Sequence, residues 1–305
     1  METNVPHIFT RDQQNIYFRK LGRGIPVLML HGIGMDSRHW LPFITPYLTR
    51  FQFYLPDFRG AGHSANVPIT KPDVFKCLKD DVEDLILQLK LQEFILVGYS
   101  LGASTALQLQ LEGGFDQVIR YLQIDQSPCI LNRPGWNGGL MGDNQTAFCH
   151  QLAQLDDVLA RHPAEMTLQQ LPKADRKLAT QYLVEVLSVV IGNPLLVNFL
   201  RQAGRSPALL TRLAGPTTLH NLRSYLHTYY TNENDYRDSF NSCDKPVTVF
   251  IGKKSPLYEY NGQLETARQI KHCRTVLFNQ SGHLPQVDEP IKFGRELGRF
   301  LTGPK

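Results

Sequence analysis

The chain has 305 residues, enough for one large α/β domain with an insertion or for two modest domains. Hydrophobic residues make up 42% and charged residues 20%, and the net charge is +4; these are ordinary globular values, and no lysine–arginine run forms the stripe that nucleic-acid binding needs. The five cysteines (Cys77, Cys129, Cys149, Cys243, Cys273) are scattered and form no C-x-x-C pair, which argues against a disulfide framework and against a cysteine-based zinc site. The N-terminus is polar rather than an apolar signal core, and no 18-residue apolar run occurs. The expectation is a cytoplasmic protein with no membrane span, no nucleic-acid partner, no metal and no cofactor; oligomeric state is not legible.

In chain order, Ile8-Phe9 and Ile16 to Arg19 fit the two strands of an opening hairpin. Pro26 to Leu30 is a strand apolar on both faces, as inside a parallel sheet. It runs into His31-Gly32-Ile33-Gly34, after which Ser37 is placed to cap a helix through Trp40, Phe43, Ile44 and Leu48. Phe51 to Leu55 is a second such strand, ending in Asp57-x-Arg59-Gly60-x-Gly62-x-Ser64. Val74, Leu78, Val82, Leu85 and Leu89 recur at helical spacing over 73–91. Phe94 to Val97 is a third strand, followed by Gly98-Tyr99-Ser100-Leu101-Gly102 and a helix through Leu109. Val118 to Ile124 is a fourth, ending at Asp125.

There the strand–helix rhythm stops. From 131 to 240 only helical patterns appear (146–160, 174–191, 194–203, 206–214 and 217–229), punctuated by prolines near helix starts. The rhythm resumes with Val247 to Ile251, a helix from Gln263 to Ile270, a strand from Arg274 to Phe278, a loop holding Gly282-His283, and a helix from Pro290 to Leu301. The expected fold class is α/β: a mostly parallel central sheet flanked by helices. Its core comprises 1–130 and 241–305, and 131–240 is a helical cap inserted over it.

A parallel sheet gathers its functional residues at the carboxyl ends of its strands. His31, Ser100, Asp125 and His283 each follow a predicted strand, so one cleft can hold all four. A serine in a sharp strand-to-helix turn is pushed out above the sheet, and glycines at both flanks are needed because a Cβ would collide with neighbouring backbone. The N–H of Leu101, at a helix start, faces any negative charge that builds beside Ser100.

With these motifs in this chain order, the sequence resembles the α/β-hydrolase superfamily over residues 8–130 and 244–302. The resemblance implies Ser100 as nucleophile, His283 as its general base, and the N–H groups of Ile33 and Leu101 as an oxyanion hole. Gly98 and Gly102 support the turn, and His31, Gly32, Asp57 and Arg59 support the loops around it. The acid departs from the commonest family pattern. That pattern puts Asp a few residues after the strand Val247 to Ile251, where this chain has Ser255. The other recurrent position, the end of the strand after the nucleophile helix, holds Asp125. Asp125 is therefore the expected orienting acid, with Glu259 in reserve.

A serine nucleophile argues against the haloalkane dehalogenase and epoxide hydrolase chemistry that relatives perform through an aspartate. The expected function is cleavage of a small or medium carboxylic ester or thioester by water through an acyl-enzyme. A carbon–carbon bond hydrolase, a lactonase, or a ligand-binding receptor with a weakened site are the alternatives. His63, His220 and His227 read as loop and insertion-face residues, the Tyr225, Tyr229 and Tyr230 cluster as insertion core, and Trp40 and Trp136 as residues able to line a pocket.

Overall fold

The computed structural model describes residues 6–203 and 216–303. Eight strands form one sheet in the order β1-β2-β4-β3-β5-β6-β7-β8, with β1 His7–Phe9, β2 Asn15–Gly22, β3 Ile25–Leu30, β4 Phe51–Pro56, β5 Phe94–Tyr99, β6 Val118–Ile124, β7 Val247–Gly252 and β8 Cys273–Phe278. β1 and β2 are the expected antiparallel hairpin, and β3 to β8 pair in parallel. Eight helices of ten residues or more occur among the described residues: α1 Val74–Gln88, α2 Leu101–Leu111, α3 Gln145–Leu159, α4 Lys173–Ile191, α5 Pro194–Ala203, α6 Leu219–Thr231, α7 Tyr260–Gln269 and α8 Pro290–Thr302. The helix expected over 206–214 lies outside the described residues. No helix among the described residues is long and apolar enough to cross a membrane.

The strands are apolar throughout because each face is covered. Alternate residues of one strand enter different cores, as the two-residue pleat period requires. Val27, Met29, Ile95 and Val97 pack with Phe293, Leu297, Phe300 and Leu301 of α8. Leu28, Leu30, Phe94 and Leu96 pack toward α1, α2 and the helices between β6 and β7. Those helices contribute Leu155, Leu159, Tyr225 and Leu226 to the same apolar cluster, so their packing is continuous with that of the sheet face.

The stretch after β3 differs from expectation. No continuous helix runs from Ser37 to Leu48; Ser37–Trp40 is a 3-10 turn, Leu41–Ile44 a single α turn and Thr45–Tyr47 a second 3-10 turn. Pro42 and Pro46 remove the N–H donors that a longer helix would need. The cap is Asp36, whose side chain accepts from the Arg38 N–H. Ser37 instead donates its own N–H to Asp57 Oδ1 at 2.7 Å. Trp40 is buried in the core with α8. Trp136 packs beneath the Arg237 guanidinium, 5.6 Å from its ring centre.

Candidate active site

Chain crossing sets the location. From β3 the sheet grows to β4 on one side and to β5 on the other, so the loops after β3 and β5 part there and leave a crevice. Ser100 stands at the end of β5 with φ +50° and ψ −115°, a strained conformation that lifts its side chain above the sheet. Packing holds it there. A Cβ on Gly98 would come within 2.7 Å of Ala103 Cα, and one on Gly102 would drive into the Leu30 carbonyl. Gly102→Ala is therefore expected to lower stability by about 1–3 kcal/mol, read from the urea midpoint. Wild-type stability in that variant would mean that β3 and α2 do not approach so closely.

The sheet ladder continues past the strand ends and fixes the backbone of both neighbours. Ser100 N–H donates to Ile124 O at 3.1 Å, and Asp125 N–H donates to Phe250 O at 2.9 Å. Asp125, like Ser100, has a positive φ, +43°. On the far side, Tyr99 donates its hydroxyl to the His283 carbonyl at 2.9 Å, so the residue before the serine clamps the histidine loop.

The three side chains form one relay. Ser100 Oγ lies 2.9 Å from His283 Nε2, and His283 Nδ1 lies 2.6 Å from Asp125 Oδ2. A carboxylate only accepts, so Nδ1 carries the proton and Nε2 presents a lone pair to the Ser100 hydroxyl. All three residues are buried. Glu259 is exposed at the start of α7.

Asp125 is fully buried, and its charge is met by four donors. Oδ1 accepts from Gly252 N–H at 2.9 Å and Gln263 Nε2 at 3.1 Å; Oδ2 accepts from His283 and from Ser255 Oγ at 2.6 Å. The serine at the commonest acid position thus reaches the carboxylate that stands at the other one. Ser255 and Gln263 were missed in the sequence; a hydroxyl at the vacated acid position is the signal that could have found Ser255.

The loop after β3 lies against the serine: a Cβ on Gly32 would sit 2.6 Å from the Tyr99 ring and 3.4 Å from Ser100 Cβ. His31 is buried, and burial lowers its pKa, which keeps the ring neutral. Its Nδ1 bonds the Gly32 carbonyl at 2.8 Å and its Nε2 accepts the Phe58 N–H at 3.0 Å. Met35 N–H also donates to Gly32 O. Carbonyl and N–H of one peptide point in opposite directions, so holding Gly32 O on one side turns the Ile33 N–H to the other. The Leu101 N–H belongs to the first turn of α2 and has no intrahelical acceptor.

Asp57 and Arg59 act around the site. Asp57 accepts from Ser37 N–H and from His63 N–H at 2.8 Å, tying the loops after β3 and β4 together. Arg59 bridges Asp12 and Asp81. Among the described residues no cluster of three metal-ligating side chains occurs; His220 bonds the Ile69 carbonyl and His63 stacks on Tyr17.

One expectation changes. Tyr225 is core, donating to the Arg59 carbonyl at 2.8 Å. Tyr229, one turn on, brings its buried hydroxyl against Ser100. The i, i+4 spacing shows that the two share a helix face but not what that face meets.

Comparison with known proteins finds relatives along nearly the whole chain. The family model described as the alpha/beta hydrolase family matches residues 27–295. The chain is 24% identical over 290 residues to a pimeloyl-[acyl-carrier protein] methyl ester esterase of Aliivibrio salmonicida (strain LFI1238), covering 94% of this chain and 96% of that protein. It is 23% identical over 296 residues to AB hydrolase superfamily protein YisY of Bacillus subtilis (strain 168), covering 96% and 98%. The solved esterase EaEST from Exiguobacterium antarcticum shares the fold with a TM-score of 0.75 at 22% identity, covering 97% of this chain and 99% of that one. With a family match that runs from β3 into α8, the chain belongs to the alpha/beta hydrolase family.

Proposed function

We propose that this protein is a serine hydrolase that cleaves a small or medium carboxylic ester or thioester. The observation that carries the reading is the unbroken relay Ser100–His283–Asp125, with separations of 2.9 and 2.6 Å. Ser100 Oγ attacks the carbonyl carbon while His283 Nε2 takes its proton. The N–H groups of Ile33 and Leu101 stabilise the oxyanion; in measured serine hydrolases, losing one such donor costs roughly 100- to 1000-fold in rate. The imidazolium, held by the Asp125 carboxylate, passes its proton to the leaving oxygen or sulfur. Water, deprotonated by His283, then releases the acid from Ser100.

The helices of 131–240 act as the cap over a core made of 1–130 and 241–305, and the apolar packing of Leu155, Leu159 and Leu226 supports their seating on the sheet face that carries Ser100. A relative of matching length whose name specifies a methyl ester esterase supports a carboxylic ester as substrate. The protein acts in the cytoplasm.

A fluorophosphonate probe followed by peptide mass spectrometry tests the reading. The expected result is one adduct, on Ser100, together with turnover of p-nitrophenyl esters that peaks at short or medium acyl length. No adduct and no turnover would replace the enzyme with a ligand-binding protein on this fold.

A further inference from the structure

The nucleophile is met from the cap as well as from the sheet. α6 is seated firmly on the core. Asn221 accepts from Ile69 N–H at 2.9 Å and donates to Val67 O at 2.9 Å, Tyr225 donates to the Arg59 carbonyl, and Thr228 accepts from Val74 N–H. Those contacts fix the helix turn that carries Tyr229. Its ring packs edge-on against Phe75, with centroids 5.8 Å apart. Its hydroxyl faces Ser100 and sits among those of Tyr99 and Tyr258, whose own rings pack on His283.

The Tyr99 hydroxyl is committed to the His283 carbonyl. The Tyr229 hydroxyl is buried and meets no partner at full hydrogen-bond geometry; among the described residues it is the one tyrosine hydroxyl in that condition. Buried donors are ordinarily satisfied, so an orphan aimed at a reacting atom points to a partner that arrives with the substrate.

We propose that Tyr229 donates a hydrogen bond to the leaving-group oxygen of the ester. The inference rests on the ester reading of Ser100. The Ser100 hydroxyl gives its proton to His283, which leaves lone pairs on Oγ facing the phenol. When Oγ attacks, one of those pairs becomes the bond to the carbonyl carbon, and Oγ turns into a poor acceptor. Two other oxygens sit on that carbon. One enters the Ile33 and Leu101 N–H pair. The other is the alkoxy oxygen, which the phenol reaches as the C–O bond breaks. His283 supplies the proton that completes the alcohol; the phenol keeps its own and only stabilises the charge that develops meanwhile. Burial holds the phenol above its ordinary pKa, so it stays a donor throughout the neutral range.

Leaving-group dependence separates this role from a structural one. An alkoxide needs external stabilisation, whereas p-nitrophenolate delocalises its own charge. Tyr229→Phe is expected to lower kcat/KM about 30-fold on a methyl ester and less than about threefold on the p-nitrophenyl ester of the same acid. The readout is the ratio of the two values, in which any loss of folded protein cancels. Tyr229→Met carries the same test if the phenylalanine variant folds poorly, and fluorophosphonate labelling of Ser100 counts active sites in each. An unchanged ratio, whether both rates fall or neither does, overturns the assignment to Tyr229 and leaves the ester reading standing. A wild-type protein inert to both esters and to the probe removes the ester reading and this proposal with it.

Discussion

Asp125→Asn is expected to lower kcat for ester hydrolysis by about 10⁴-fold, the loss found when a triad acid becomes its amide. Glu259→Gln, exposed and away from the relay, should change kcat less than about twofold. The size of the first effect follows from the four donors around the carboxylate. An amide has one acceptor oxygen and one NH₂ group. Gly252 N–H is a fixed backbone donor, so the amide oxygen must take its side, where Gln263 also donates. The NH₂ then faces His283 and Ser255. Ser255 can rotate its hydroxyl and accept. His283 can accept only by moving its proton from Nδ1 to Nε2, and an Nε2–H cannot take the proton of Ser100. The variant is thus locked in the wrong tautomer while the fold stays intact. The measurement is single-turnover hydrolysis of a p-nitrophenyl ester, with circular dichroism to show that structure is kept. A loss confined to Glu259→Gln, or equal in both variants, would move the acid to the loop after β7.

Much of the site was legible because it depends on local patterns at strand ends. Apolar runs such as Phe94 to Val97 read as buried strands since both faces of a parallel sheet are covered. With no acid at 255 the sequence offers Asp125 at the other strand end, and the structure places its carboxylate 2.6 Å from His283 Nδ1. What failed was longer in range or finer in detail. Pro42 and Pro46 were visible, yet hydrophobic spacing was read through them as one helix. The place of Trp40 in the core depends on α8, a helix some 250 residues later in the chain. The Tyr229 ring does pack on the core, as the helical period suggests, but the period gives a shared face and not the Ser100 that its hydroxyl meets. Arg59 does order its surroundings by charge-assisted bonds, as the sequence suggests, but its partners Asp12 and Asp81, 47 and 22 residues away, are fixed only by the tertiary fold.

Arg59→Met is expected to cost about 3–5 kcal/mol of folding stability, measured by urea denaturation at pH 7. The guanidinium is buried and fully engaged. It meets Asp12 through two bonds of 2.8 Å, Asp81 through bonds of 2.6 and 2.8 Å, and the Pro68 carbonyl at 2.8 Å. Removing one partner of a buried pair is costly because the other charge is left unpaired. Burial already pushes the Asp81 carboxyl up to about 6 with Arg59 in place. Without the guanidinium that carboxyl rises further, and the penalty for ionising it grows as pH climbs above the unfolded value of about 4. Asp12 works in the same direction. Arg59 holds its carboxyl below the usual range, which contributes stability present above about pH 4 and lost on acidification; the variant never has it. Asp12 therefore opens the stability gap between wild type and variant as pH rises to about 4, Asp81 widens it further above about pH 6, where the carboxyl ionises in the wild type but not in the variant, and the gap closes again in acid. Adding Asp81→Leu to Arg59→Met should recover most of the deficit, because the uncompensated charge is then gone. A gap that is small and flat in pH would show that water reaches Asp81 and that the pairing contributes little. Activity should follow stability here, since the Arg59 carbonyl is the acceptor that anchors Tyr225 and, through α6, the Tyr229 hydroxyl over Ser100.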